Sequence, residues 1–166
     1  MSSFFDHTDF DHHETVMFAE DEASGLRGII AVHSTAAGPA CGGVRYWAYD
    51  DDQVALSDVL RLSRGMTYKN IMADLPLGGG KSVIIADPSR PKDVSLMAAF
   101  GQAIHRLGGA YIAAEDVGIT VDDVMAMRKV TPHVAGTRKS GQGAGDPSPY
   151  TALGVFLGLQ ASARFG

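Results

Sequence analysis

The segment from Asp51 to Ile85 most constrains the fold of this 166-residue chain. From Asp51 onward, apolar residues recur at helical spacing, with acidic residues near the start and basic residues later, as the helix dipole favours. The pattern predicts a helix that runs through "RLSRGMTYKNIM" and ends before Pro76, because proline disfavours helical backbone in the preceding residue. Three glycines and the run "KSVII" come next, and they predict a glycine loop followed by a buried strand.

Strand patterns precede this segment, and strands alternate with helices after it. "ETVMFAEDEASGLRGIIAVHS" predicts two strands joined by a turn at Ser24-Gly25, and "ACGGVRYWAY" predicts a third strand. After the glycines, Pro91 is expected to open an amphipathic helix that ends at Gly108-Gly109. "AYIAAED" predicts the next strand, and Thr120 with Asp123 has the spacing of a capping box for a further helix.

A polar, glycine-rich segment from Gly136 to Asp146 is expected to be a loop, and Ser148-Pro149 favours the start of a last helix. We divide the chain into a domain at residues 1–147 and, at residues 148–166, the start of a helix that leads away from it. The order of elements predicts an α/β fold in three layers, a mixed sheet covered by helices.

Composition and charge exclude several classes of protein. Hydrophobic residues make up 45% of the chain, and the net charge of −5 comes with no basic stripe of the kind that binds nucleic acid. No apolar run reaches the roughly 20 residues that cross a bilayer, and the acidic N-terminus is unlike a signal peptide. The one cysteine, Cys41, excludes an internal disulfide, and the histidines are not spaced as metal ligands. We expect a cytoplasmic protein without a metal.

The stretch "LPLGGGKSVII" is similar to a phosphate-binding loop but departs from it in two ways. The Walker motif requires a glycine five residues before Gly80, where this chain has Leu75. A phosphate loop also joins a strand to a helix, whereas here a helix comes first and a strand follows. The dinucleotide motif G-x-G-x-x-G is absent from the sequence. The glycines therefore indicate close backbone approach to some other ligand.

Three charged residues are candidates for one site. Lys81 begins the strand after the glycines, Lys69 lies at the end of the preceding helix, and Asp116 follows another strand. Because α/β sheets bind ligands at the ends of strands, the three side chains would converge on one cleft if the two strands are close. The alternative is that Lys81 is a surface lysine and Asp116 a loop carboxylate.

Four segments, "GPACGGVRYWAY", "RLSRGMTYKNIMADLPLGGGKSVIIADP", "YIAAEDVGITVDDV" and "GDPSPYTALGVFLG", resemble the Glu/Leu/Phe/Val dehydrogenase family in the family's own order. The leucine, valine and phenylalanine dehydrogenases are the most similar, and the resemblance extends from about Glu14 to Gly166. It implies the first of the family's two domains, which binds the amino acid and makes subunit contacts. The second, a Rossmann domain for the nicotinamide cofactor, would lie outside this chain.

The resemblance implies a role for each matching residue. Lys69 would bind the substrate α-carboxylate, Lys81 would be the catalytic base, and Asp116 would exchange a proton with the substrate amine. As a base, Lys81 must lose its proton near neutral pH, which burial and the Lys69 charge favour. The remaining matches are Gly42, Gly43 and Met66 in the amino-acid site and Thr151 near the nicotinamide.

Two further residues bear on the substrate. Cys41 lies where the branched-chain enzymes usually have leucine, on the wall of the side-chain pocket, and would admit a larger substrate. Ala114 resembles the members that act on aliphatic amino acids. The resemblance thus implies an NAD-dependent dehydrogenase of an apolar, branched-chain L-amino acid, assembled as a dimer or larger, with phenylalanine as the alternative substrate. It leaves NADP open, and a non-catalytic amino- or oxo-acid-binding or subunit-assembly module is the alternative from another class.

Overall fold

The computed structural model of the chain describes residues 4–136 and 148–165. Within them, five strands form one sheet: β1 (Thr15–Asp21), β2 (Leu26–Ser34), β3 (Ala40–Trp47), β4 (Gly78–Ile85) and β5 (Tyr111–Glu115). A 3-10 turn at Phe4–Asp6 precedes them. The helices are α1 (Asp52–Met72), α2 (Val94–Arg106), α3 (Val121–Arg128) and α4 (Ser148–Ala163).

The sheet is mixed, as predicted. Its strand order is β1-β2-β4-β3-β5. The first two strands and the β2–β4 pair are antiparallel, whereas β3 runs parallel to both β4 and β5. This order places β4, the strand that carries Lys81, at the centre of the sheet.

Helices cover both faces of this sheet, which confirms the three-layer α/β fold. On one face, α2 and α3 enclose the larger hydrophobic core, which includes the fully buried Phe100 and Tyr111. On the other face, α1 packs mainly on β4 and β2, where Leu60 and Val83 belong to a smaller core. The part of this second face formed by β3 and β5 is therefore less covered.

Most predicted elements are confirmed, with one clear boundary error. Thr120 and Asp123 form the predicted capping box at the start of α3. Helix α2 does not begin at Pro91 but at Val94, because Asp93 has extended backbone and its side chain accepts a hydrogen bond from the Leu96 N–H, which makes it the N-cap. The predicted loop at 136–146 falls, apart from its first residue, outside the described residues.

The prediction that Gly78–Gly80 form a loop is wrong, since all three belong to β4 and are buried. A Cβ atom at Gly78 would overlap the Ser34 carbonyl oxygen, and one at Gly79 would overlap Thr67 on α1. A Cβ atom at Gly80 would lie 2.7 Å from Cδ2 of Tyr111. The absence of side chains at these glycines therefore lets Ser34, Thr67 and Tyr111 pack closely against β4.

Helix α4 begins at Ser148, in agreement with the predicted last helix, and all its residues are exposed. None of the helices in the described parts of the chain is both long and apolar enough to cross a membrane. The predicted division at residue 147 falls in a segment that the structure does not describe, and it stays a prediction.

Candidate active site

Lys81 extends from β4 toward the face of the sheet that α1 covers. Side chains alternate along a strand, so Lys81 shares a face with Gly79 and Val83. Gly79 abuts Thr67 of α1, and Val83 belongs to the core beneath that helix. Lys81 is only 6% exposed, so it is not a surface lysine.

Asp116 follows β5 directly and pairs with this lysine. Its Oδ2 atom accepts a hydrogen bond from Lys81 Nζ at 2.7 Å. One strand, β3, separates β4 from β5, so the sequence-based expectation that the two residues converge is met by the structure. Their ion pair lies at the less covered part of the sheet.

The surroundings of Asp116 favour its ionised form. Burial alone would raise the pKa of the carboxyl. The hydrogen bond and charge of Lys81, the Val117 backbone N–H and the charge of Arg45 together outweigh burial, and the net pKa lies below its ordinary value. At neutral pH Asp116 is therefore a carboxylate.

The glycine pair of β3 lies directly beside this ion pair. A Cβ atom at Gly43 would lie 2.5 Å from the Asp116 Cβ. A Cβ atom at Gly42 would overlap the Gly80 carbonyl oxygen and lie 3.3 Å from the Met66 Cγ. The structure thus brings Gly43 to Asp116 and Gly42 to Met66, and protein atoms occupy the space that a side chain at either glycine would need.

Helix α1 presents one stripe of side chains to the less covered part of the sheet. This stripe contains Asp58, Met66 eight residues later and Lys69 a further three residues on. Such a spacing keeps the three side chains on one side of a helix. Asp58 contacts Arg45 of β3, and Met66 lies beside Gly42, so this side faces β3. Lys69 is exposed, and among the described residues it forms no hydrogen bond or ion pair with Lys81 or Asp116.

The two predicted pocket-wall residues lie on the same face of the sheet as Gly43. Cys41 alternates with Gly43 along β3, and Ala114 pairs with Gly43 in the register of β3 and β5. Both residues are half-buried. Burial raises the pKa of the Cys41 thiol, which disfavours a reactive thiolate. Thr151, by contrast, lies on the exposed helix α4 and is not brought to Lys81 by the structure.

Three side chains that the sequence analysis did not single out extend the site. Arg45 Nε lies 3.4 Å from Asp116 Oδ2, and Arg45 Nη1 donates a hydrogen bond to Asp58 Oδ2 at 2.7 Å. The Tyr49 hydroxyl donates to the same Asp58 oxygen, also at 2.7 Å. The alternation of β3 could have indicated Arg45, because it lies two residues after Gly43 and therefore shares its face.

This arrangement can bind and protonate a small polar ligand. A half-buried carboxylate hydrogen-bonded to a buried lysine amine at 2.7 Å can exchange a proton with it with little movement of heavy atoms. The exposed ammonium of Lys69, on the stripe of α1 that faces the same region, can attract a carboxylate as a point charge. Among the described residues there is no cluster of histidine, cysteine and carboxylate side chains that could hold a metal ion.

Comparison with known proteins finds one family of relatives, the amino acid dehydrogenases. Residues 11–133 match the model of "Glu/Leu/Phe/Val dehydrogenase, dimerisation domain". The chain is 49% identical over 152 residues to leucine dehydrogenase of Bacillus subtilis, a match that covers 92% of this chain and 42% of that protein. It is 49% identical over 158 residues to valine dehydrogenase of Streptomyces virginiae, which covers 95% of this chain and 44% of that one.

Solved structures agree in fold. L-tryptophan dehydrogenase from Nostoc punctiforme superposes with a TM-score of 0.73 at 43% identity, over 91% of this chain and 42% of that one. Hetero-hexameric glutamate dehydrogenase from Thermus thermophilus gives 0.67 at 26% identity, over 90% of this chain and 39% of that one. The chain spans less than half the length of these relatives. With the family model matching most of its length, the chain belongs to the Glu/Leu/Phe/Val dehydrogenase family.

Proposed function

We propose that this chain is the substrate-binding and catalytic domain of an NAD-dependent L-amino acid dehydrogenase. The reaction would convert an apolar, branched-chain L-amino acid, NAD⁺ and water into a 2-oxo acid, an ammonium ion, NADH and a proton. The observation that carries the proposal is the buried Lys81–Asp116 ion pair beside Gly43, at the less covered part of the sheet. Family membership supports the class of reaction.

Each residue of the site would have a distinct part in this reaction. Lys69 would hold the α-carboxylate of the amino acid through its ammonium. Asp116 would accept a proton from the substrate amine. Lys81 would act as the base when water adds to the iminium carbon and would help to break the resulting carbinolamine. Their direct hydrogen bond lets the two groups share the protons that enter and leave.

The backbone and the pocket wall would set the position of the substrate. Gly42 and Gly43 would line the amino-acid site with backbone and let Gly80 and Asp116 pack against β3, while Met66 lies next to Gly42. Cys41 and Ala114, on the same face of the sheet, would contact the substrate side chain. Both are small, which suits an apolar side chain of moderate size.

The nicotinamide cofactor would be held mainly by sequence outside this chain. The chain has no G-x-G-x-x-G motif, and Thr151, the one candidate for contact with the nicotinamide, lies on exposed α4. The cofactor would accept the hydride from the substrate α-carbon. The residues described above bind the substrate and move its protons, and none of their proposed parts depends on how the cofactor is bound.

Relatives inform the substrate and the assembly. The leucine and valine dehydrogenases found by comparison favour a branched-chain substrate over phenylalanine. The matching family model describes a dimerisation domain, and one structural neighbour is named as a hetero-hexamer. We therefore propose that the chain self-associates into a dimer or larger oligomer, which light scattering of the purified chain would test. The cytoplasmic location expected from the sequence stays a prediction.

The deciding experiment measures amino-acid-dependent reduction of NAD⁺ by the product of the whole reading frame that contains this chain. Leucine and valine are expected to be oxidised faster than phenylalanine and glutamate. Lys81→Ala should abolish turnover, and Lys69→Ala should raise KM for the amino acid at least tenfold. Near-normal turnover by the Lys81 variant would disprove the proposed role of that lysine.

A binding measurement on the 166-residue chain separates catalysis from mere binding. Titration with 4-methyl-2-oxopentanoate, the 2-oxo acid of leucine, should show binding that Lys69→Ala weakens. Arg27→Met, on the same side of the sheet but in an exposed ion pair with Asp52, is the matched control and should bind normally. If the 2-oxo acid binds but the whole gene product never reduces NAD⁺, the non-catalytic binding module becomes the better description.

A further inference from the structure

We propose that Arg45, itself held by Asp58 and Tyr49, is a positioning residue that keeps the Asp116 carboxylate aligned with Lys81. The inference rests on the proposed function, because it concerns a carboxylate that exchanges a proton with the substrate. Four side chains of alternating charge make up a row, from Lys81 through Asp116 and Arg45 to Asp58. Consecutive members lie within 2.7–3.4 Å of one another.

The two carboxylates hold Arg45 unequally. The Arg45 Nη1 to Asp58 Oδ2 distance is 2.7 Å, a short charge-assisted hydrogen bond, whereas Arg45 Nε lies 3.4 Å from Asp116 Oδ2. Asp58 therefore anchors the guanidinium, and the interaction of Arg45 with Asp116 is mainly electrostatic. The anchor keeps Arg45 near Asp116 without letting it displace Lys81.

Tyr49 completes the anchor. Its hydroxyl donates to the same Asp58 oxygen that accepts from Arg45. Burial, together with the hydrogen bond to Asp58, raises the pKa of the Tyr49 phenol, so it remains a donor at working pH. Arg45 and Asp58 are 24% and 27% exposed, so water screens their attraction less than that of a surface pair.

Both cations contact the same oxygen of Asp116. Lys81 Nζ and Arg45 Nε share Oδ2, which fixes the orientation of the carboxylate. The other oxygen, Oδ1, is then the atom that would face the substrate amine. An Arg45 freed from Asp58 would compete with Lys81 for Oδ2 and would turn the carboxylate away from this orientation.

Charged and titratable groups surround Asp116 on several elements. Lys81 faces it from β4, Arg45 from β3, and Asp58 acts from α1 through Arg45. Tyr111 of β5 interacts with it from behind the sheet, but burial raises the pKa of that phenol far above neutral pH. Following the Asp116 carboxyl carbon itself in an acid titration therefore tests the effect of these neighbours on Asp116.

The first test follows the Asp116 carboxyl carbon by NMR during an acid titration of the 166-residue chain. Arg45→Met removes a cation and should raise the pKa of Asp116. Asp58→Asn releases Arg45 toward Asp116 and should shift the pKa in the opposite direction. General loosening of the site would instead move both variants toward the ordinary carboxyl value, so equal upward shifts would overturn the proposal.

Two further variants keep the test decisive. Arg45→Lys retains the positive charge and should keep the pKa of Asp116 near its wild-type value. This variant can still be measured if Arg45→Met fails to fold. Arg27→Met breaks another arginine–aspartate pair between the sheet and α1, the 2.6 Å pair with Asp52, and should leave the titration unchanged. An unchanged Asp116 pKa in Arg45→Met, or a raised pKa in Arg45→Lys, would contradict the proposal.

The second test uses the dehydrogenase reaction of the whole gene product. Arg45→Met should lower kcat about tenfold or more with little change in KM, and should move the acid limb of the kcat profile upward in pH. If Lys81→Ala abolishes turnover while the Arg45 variants keep the wild-type profile, this inference fails and the proposed function stands. If Lys81→Ala has no effect, the proposed function fails, and the NMR titration still decides whether Arg45 positions Asp116.

Discussion

The face of the sheet under α2 and α3 and the face under α1 differ in what they bury. The first contains a continuous apolar core with large side chains such as Phe100 and Met97 at its centre. The second contains a smaller core, and beside it the charged row from Lys81 to Asp58. The comparison indicates that the first face supplies most of the stability, while the incomplete cover of the second leaves charged groups accessible to a ligand.

The largest expected effect lies on the fully covered face. Phe100→Ala should lower the free energy of unfolding by about 3–5 kcal/mol, because it removes a fully buried aromatic ring from the core. Urea unfolding followed by circular dichroism measures this. Phe18→Ala, at a position 63% exposed on β1, is the control and should change stability by less than about 0.5 kcal/mol. Equal losses in both variants would contradict the comparison.

A smaller effect is expected where β4 meets α1. Gly79→Ala should cost about 1–3 kcal/mol, because its Cβ would overlap Thr67 on the facing helix. Gly65→Ala, in the middle of α1 with open space around it, should instead stabilise the chain by about 0.5–1 kcal/mol. Thermal unfolding of the two variants gives opposite shifts in Tm. A stable Gly79→Ala variant would show that β4 and α1 are less closely packed than described.

Tyr111 connects the two faces and allows a finer test. Its ring lies in the larger core, and its hydroxyl bonds Ser82 and donates to the Gly42 carbonyl at 2.8 Å. Tyr111→Phe should cost about 1–2 kcal/mol because these buried polar groups lose a partner. It should also weaken binding of the 2-oxo acid, since the glycine pair loses support. Unfolding and calorimetric titration measure the two effects, and Ser82→Ala separates the loss of the Ser82 contact from that of the carbonyl contact.

The smallest expected effect concerns His13, which packs against α1 and against His33 of β2. Its Nε2 lies 2.9 Å from Ser63 Oγ and 3.1 Å from the Leu60 carbonyl oxygen, with His33, Asp11 and Arg64 nearby. Burial lowers the pKa of His13, an effect that the Leu60 carbonyl opposes only in part.

The sign of the pH dependence follows from this lowered pKa. Below about pH 6.5 the unfolded chain takes up a proton at this histidine that the folded chain still excludes. The free energy of unfolding therefore decreases as the pH is lowered, by about 1 kcal/mol or less. Unfolding measured between pH 7 and 5 should show the decrease, and His13→Gln should remove it. His105→Gln, at an exposed position on α2, is the control and should leave the decrease unchanged.

Local features were predictable from the sequence because they depend on neighbouring residues. The capping box of Thr120 and Asp123 requires only a spacing of three residues, and the predicted turn between β1 and β2 contains Gly25, which has the positive φ expected of a turn. The order of the strands was not predictable in this way. It depends on which strands pair at long range, and the antiparallel placement of β2 next to β4 leaves no mark in either segment alone.

Only some residues of the candidate site, and none of their contacts, were predictable from the sequence. Lys81 and Asp116 were identified from motifs, and the structure adds that they form a direct ion pair. Arg45 and Asp58 were missed because their importance arises from a pairing between β3 and α1, thirteen residues apart. The glycines of β4 were misjudged as a loop because their physical role, space for Thr67 and Tyr111, belongs to residues distant in sequence.

The crowding around the glycines also determines how the proposed substrate site could be redesigned. Randomised libraries at Gly42 or Gly43 would consist mostly of misfolded variants, because any side chain there meets the Gly80 carbonyl or Asp116. Cys41 and Ala114 are half-buried positions on the same face, and both already carry a Cβ. Directed evolution toward larger or smaller amino acids should therefore find its productive mutations at Cys41 and Ala114, and leave the glycine backbone unchanged.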